Sequence, residues 1–262
     1  MATLDDIYPP KLDFGRVAER TVWVLGRQPL LIFGLALVLY GAPAAGSMML
    51  VNRWLDIAEP FAVFHHPSFW GAGLISLFVA AFLEASLLAV TVGELAGRPA
   101  EPQEVVVAGL KFLLPLFAVN LFFFLGVCVG LILLVVPGIM LGLAWCVAGP
   151  ALLVERSGIT AVFGRSADLT RDNRWRLLGL FLIAAVASSI IDGFGGGHAA
   201  YHYRWSGIPF DEMLLSPARI AISAILKSLA YAVGIVALGV IYVELRTLKE
   251  GTAPINLGDV FE

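Results

Sequence analysis

The chain has 262 residues with a mean hydropathy of +0.88, 59% hydrophobic and only 14% charged residues, and a formal net charge of -3. Soluble domains carry about 25% charged residues, so an ordinary water-soluble fold is excluded, and a mildly acidic chain with no basic run gives no hint of a nucleic-acid partner. The two cysteines, Cys128 and Cys146, both lie within apolar runs and read as small hydrophobes, not as a disulfide.

In chain order, the first recognisable element is amphipathic. Asp13 is placed to cap a helix whose Phe14, Val17, Ala18, Thr21, Val24 and Leu25 share one face, opposite Arg16, Glu19, Arg20 and Arg27. An apolar run, Pro29–Val51, follows. A cleavable signal peptide has to be weighed here, because basic residues from Lys11 to Arg27 precede the run and Ala42-Pro43-Ala44 follows its centre. The long leading segment with Asp5, Asp6, Asp13 and Glu19, and the return of apolar residues at Met48, favour a retained membrane span.

Five further runs continue the pattern: Phe69–Ala96, Phe112–Val136, Pro137–Val154, Leu177–Ile191 and Pro217–Glu244. Roughly 20 apolar residues cross about 30 Å of hydrocarbon, so six spans are expected. Val135-Val136-Pro137-Gly138 is expected to form the whole turn between the third and fourth, since proline ends one helix and suits the first turn of the next. The fourth run is short, leaving open whether this central hairpin fully spans. Gly126-x-x-x-Gly130 and Gly138-x-x-x-Gly142 are expected to let its backbones approach closely.

Two more amphipathic stretches precede later runs. Pro102–Lys111 sets Val105, Val106 and Leu110 against Glu104 and Lys111, and Thr160 is placed to cap a helix setting Val162, Phe163, Ser166 and Leu169 against Arg165 and Asp168. Phe14-Gly15-Arg16 recurs as Phe163-Gly164-Arg165. The expected fold is therefore an all-α integral membrane bundle of six helices within one membrane domain over 1–262. It is built from three units of amphipathic helix plus hairpin (13–96, 102–154 and 159–244) and a short tail, 245–262.

Orientation follows from the lysines and arginines near the span ends. With the N-terminus inside, thirteen face the cytoplasm, whereas Arg53, Arg204 and Arg219 fall in external loops and Lys227 lies within the sixth span. Both termini are expected in the cytoplasm.

From here the chain resembles the YciC-like bacterial membrane proteins, also described as the membrane domain found beside glycerophosphoryl diester phosphodiesterases. The resemblance rests on Phe14, Arg16, Glu19-Arg20-Thr21, Val24-Leu25, Arg27 and Pro29-Leu30; then Val136-Pro137-Gly138-Ile139, Trp145, Pro150 and Glu155. It continues through Ser166, Leu169-Thr170 and Asn173-Arg174-Trp175-Arg176 to Tyr242-Val243-Glu244-Leu245-Arg246 and Leu248-Lys249-Glu250-Gly251. It covers nearly the whole chain and implies six spans in a bacterial inner membrane. The phosphodiesterase activity belongs to a separate soluble domain whose sequence is not present here.

Charges inside apolar runs mark pairing or functional sites. Glu84 and Lys227 are expected at similar depth as a buried pair, with Asn120 as an interhelical hydrogen-bonding residue. Glu94, Glu155 and Glu244 end the even spans beside Arg98, Arg156 and Arg246. With Arg165 and Arg171 they form an expected ion-pair or lipid-headgroup cluster. All four histidines, His65, His66, His198 and His202, fall in external loops, where Asp192, Asp211 and Glu212 could add oxygen ligands. They are weak metal candidates beside the reading of solvated loops.

No nucleophile elbow, His-Glu-x-x-His or phosphate loop occurs. The expected role is thus non-enzymatic and without a cofactor: organising, sensing or assisting movement of membrane phospholipids, or supporting a partner complex, with a homo-oligomer open. The alternatives are a small-solute or ion transporter using Glu84 and Lys227, and a periplasmic metal-binding module.

Overall fold

The computed structural model describes residues 11–47, 67–194 and 217–251, and among these every regular element is a helix. Helix α1 (Phe14–Arg27) is followed by α2 (Pro29–Ser47), which contains a π-helical stretch at Leu37–Gly41. Then come α3 (Pro67–Leu95), α4 (Pro102–Leu133), α5 (Val135–Trp145) and α6 (Ala148–Glu155). Helices α7 (Ile159–Thr170), α8 (Arg174–Phe194) and α9 (Pro217–Glu250) complete the order. Six stretches are long and apolar enough to cross a membrane: α2, most of α3, α4, α5 with α6, and most of α8 and of α9.

Local chemistry sets the boundaries. Asp13 caps α1 as expected, its Oδ1 accepting from the Arg16 N–H at 3.1 Å. Gln28 lies outside helical geometry before Pro29, which occupies the first turn of α2. Helix α6 ends on Arg156 in the left-handed conformation, φ 46°, a stop usually given to glycine.

Three expectations about local structure are corrected. The α4–α5 turn is the single residue Leu134, extended at φ -164°, and Val135, Val136 and Pro137 already form the first turn of α5. Gly130 and Gly138 allow this tightness, since a Cβ on Gly130 would lie 2.8 Å from the Gly138 Cα. Secondly, Pro102–Lys111 is no separate amphipathic helix; it is the start of the 32-residue α4, capped by a Glu101–Glu104 box, with Val105, Ala108, Gly109 and Phe112 buried and Val106 and Leu110 exposed. Helix α4 continues past Lys111 and takes Pro115 into its interior without ending there. Thirdly, α7 starts after Gly158, so Thr160 sits inside its first turn and is not its cap.

Helix α9 occupies the centre of the bundle, packing on α1, α2, α3, α7 and α8, while α3 packs most extensively on α4. Small residues permit the closest approaches: Gly239 of α9 abuts Thr91 of α3, and Gly109 of α4 abuts Ser86 and Phe82 of α3. One buried cluster joins α2, α3, α4, α6 and the middle of α9; a second joins the start of α1 with α5, α7, α8 and the end of α9. The outer faces of α4 and α8 are apolar and exposed, as at Phe122, Phe124, Ile132, Leu182, Ile183 and Val186. So large a continuous apolar exterior fits hydrocarbon and not water.

Candidate functional site

Two polar sites stand out in this apolar bundle. The first is a layer where the last turns of α3, α6 and α9 meet the amphipathic helices α1 and α7. Each of those three helices carries a glutamate at or near its end, and each glutamate meets an arginine from an amphipathic helix. Glu244 of α9 is 3% exposed and takes Arg20 at 2.7 Å and Arg16 at 3.6 Å, both half-exposed. Glu94 of α3, also 3% exposed, takes Arg27 at 3.5 Å and accepts a hydrogen bond from the Gln28 amide at 2.6 Å. Glu155 of α6 accepts from Arg165 Nε through both oxygens, at 2.8 and 2.9 Å, and from the Tyr242 hydroxyl at 2.8 Å.

The layer extends outward. Arg165 also bonds Glu250, which Arg246 approaches at 2.9 Å, and Lys249 of α9 lies 3.4 Å from Asp168 and 3.5 Å from Asp172. Partial burial works against the charge of Arg165, but its bonds to Glu155 and Glu250 outweigh this and hold it above its usual basicity. Helix α1 is tied at its other end as well. Leu12 N–H donates to Asn173 Oδ1 at 2.9 Å, and the Leu12 carbonyl accepts from Arg176.

The expected glutamates are therefore all in the layer, but their partners differ from their sequence neighbours. Arg98 bonds Glu104 at 2.7 Å, Arg246 bonds Glu250, and Arg156 ends α6. Arg171 is exposed, its backbone N–H closing the α7 terminus on the Asp168 carbonyl at 3.3 Å. Sequence reasoning missed Arg16, Arg20, Arg27, Gln28, Tyr242 and Glu250 as members. A usable signal existed: Arg16, Arg20 and Arg27 are spaced to fall along one stripe of α1. The repeated Phe-Gly-Arg tripeptide is a second signal, since Arg16 and Arg165 each reach a glutamate at or near the end of another helix.

The second site lies mid-bundle. Glu84 of α3 accepts a hydrogen bond through Oε2 from the Asn120 amide of α4 at 2.6 Å. Its Oε1 lies against Gly149 of α6, where a Cβ would come within 2.8 Å. Asn120 thus bridges helices as expected, but Glu84 makes no ion pair with Lys227 among the described residues. Tyr231 of α9, stacked on Tyr40 at 4.5 Å, feels the charge of Glu84, and Lys227 lies about one helical turn from Tyr231.

Glu84 and Asn120 face a cavity of about 390 Å³ bounded by α4, α5, α6, α8 and α9, with walls of valine, leucine, phenylalanine, Trp145 and Cys146. Trp145 also borders a groove of about 550 Å³ on the other side of the hairpin, walled by Phe122, Leu125, Val129 and Phe163.

His65, His66, His198 and His202 lie outside the described residues, as do Asp211, Glu212 and the Asp192 side chain. Among the described residues no group of three or more His, Cys, Asp or Glu is arranged to hold a metal. Compared with known families, curated proteins and solved structures, the chain matches none.

Proposed function

We propose that this is a multi-pass, non-enzymatic protein of the bacterial inner membrane that binds phospholipid along its amphipathic helices, with both termini in the cytoplasm. It organises, senses or helps to move lipid, or supports a partner complex that does. The observation that carries this reading is the double character of α1. Its Val17, Thr21 and Val24 are buried against the bundle, and its arginines are anchored on buried glutamates. Its outer side nonetheless leaves Val22 and Trp23 exposed beside Arg27, whose guanidinium lies 5.4 Å from the Trp23 ring. A basic helix held rigidly with tryptophan outward is suited to an anionic lipid surface. Trp175, at the start of α8, is also exposed, at 80%.

The threefold arrangement of amphipathic helix plus hairpin is part of this proposal in modified form, with separate amphipathic helices at α1 and α7 and a fused one at the start of α4. A YciC-like membership is part of the same proposal.

The test is native mass spectrometry of the purified chain from mild detergent. Retained phospholipid enriched in anionic species over the membrane average is expected. Replacing Trp23 and Trp175 by alanine and Lys111 and Arg171 by glutamine is expected to lose those adducts at unchanged melting temperature. Adducts that mirror the bulk lipid composition, or that survive the replacements, would contradict a lipid-binding role.

A further inference from the structure

We propose that the Glu84 cavity is a binding site for a single-chain lipophilic amine, with the ammonium on Glu84 and the chain along the walls of α4, α5 and α8. This does not rest on lipid binding by the surface helices, and either can fail alone.

The walls and the head of the cavity make different demands. A volume of about 390 Å³ falls in the range of about 300–1,000 Å³ typical of small-molecule sites. Val127, Leu131, Ile139, Leu178 and Phe181 supply walls with almost no polar atoms, which suit an alkyl chain and offer nothing to a hydrated ion. At one end sits a single carboxyl group. Its described hydrogen bond, from the neutral Asn120 amide, leaves most of its acceptor positions unused, and no described ion pair reaches it.

A carboxylate in an apolar cavity is costly unless a cation and further hydrogen bonds accompany it. An ammonium supplies both, with one positive charge and three N–H donors. Oε1 packs against the backbone of Gly149, where any side chain would collide with it. The contrast with the layer at α1 is chemical: there every buried glutamate is met by an arginine of this chain, whereas here the neighbouring groups are an amide and the phenol of Tyr231.

Cys146 lines the same cavity and gives a local readout. In a Cys128→Ser protein, alkylation of Cys146 by N-ethylmaleimide would be followed in phosphatidylcholine nanodiscs with increasing dodecylamine or dodecanol. The amine should protect Cys146 at a concentration lower by about ten-fold or more, the discrimination expected for a charge-assisted hydrogen bond. Glu84→Gln should abolish that preference while leaving weak protection by both compounds. Should Glu84→Gln fail to fold, Val127→Trp, which fills the cavity and keeps the carboxyl group, should lose protection by the amine. Equal protection by alcohol and amine would overturn the proposal, as would a preference that survives in the variants or no protection by either compound.

Discussion

Glu84, Glu94, Glu155 and Glu244 lie within or near the ends of apolar helices, and they are held in two ways. At the end of the bundle that carries α1 and α7, Glu94, Glu155 and Glu244 each draw an arginine whose far side is at least partly exposed. In the middle of α3, Glu84 has an asparagine amide and a cavity. Burial of the carboxyl group is common to both; what differs is the distance to a polar boundary. An arginine can lay its stem along apolar surface and keep its head near water, but only where that boundary is within reach. Where it is not, a neutral donor is the cheaper partner. The first arrangement fastens helices together, and the second leaves acceptor capacity open toward a cavity.

The strongest way to break this contrast is to strand one of the layer's carboxylates. Replacing Arg16 and Arg20 together by glutamine leaves Glu244 buried without its cations, and a loss of about 3–5 kcal/mol is expected from an uncompensated buried charge, read as a large drop in melting temperature in detergent. Glu244→Gln should cost less, since the half-exposed arginines it abandons can hydrate. If the two variants melt alike, Glu244 is not held by these arginines.

Next in size is packing at the hairpin. Gly130→Ala would set a Cβ 2.8 Å from the backbone of Gly138, which has no flexible side chain to give way. Overpacking of about 1–3 kcal/mol follows, and unchanged thermal stability would show that the helices are not so close. Glu84→Gln is expected to be milder, below about 1 kcal/mol, because a glutamine carbonyl still accepts from Asn120. A large loss of stability there would instead point to an ionic partner for Glu84.

The smallest effect concerns Asp13. Hydrogen bonds from the backbone N–H groups of Arg16 and Gly15 hold its carboxyl below the ordinary aspartate range. A carboxyl group with a lowered value in the folded state stabilises that state above its unfolded value, and the contribution fades as pH falls through the lowered one. Wild type and Asp13→Asn should therefore differ slightly in melting temperature near pH 6 and converge in strong acid. A difference that grows on acidification would contradict the cap.

Much of the helix layout was legible in the sequence because hydrocarbon imposes a length that composition alone reveals. Asp13, the 3.6-residue stripe of α1 and the glutamates ending the runs could be read directly. The start of α4 could not: Pro102–Lys111 has an amphipathic pattern whether it stands alone or continues, and Pro115, a residue that commonly breaks helices, lies inside α4 without ending it. Partners were harder still. Arg98, Arg156 and Arg246 adjoin the right glutamates along the chain, but the guanidinium groups that reach them come from α1 and α7, placed by packing against α9. The Glu84–Asn120 bond turns on the relative register of α3 and α4, which follows from Gly109 accepting Ser86 and Phe82; no pattern in either helix alone encodes it.

The proposed function requires the apolar helices to cross a bilayer with the arginine–glutamate layer on the cytoplasmic side. The most direct measurement is labelling of single cysteines at positions 171 and 198, in a chain freed of Cys128 and Cys146, with an impermeant maleimide applied to sealed cells and then to inverted vesicles. Position 198 should react in cells and position 171 only in inverted vesicles; reaction of both from the same side would contradict it.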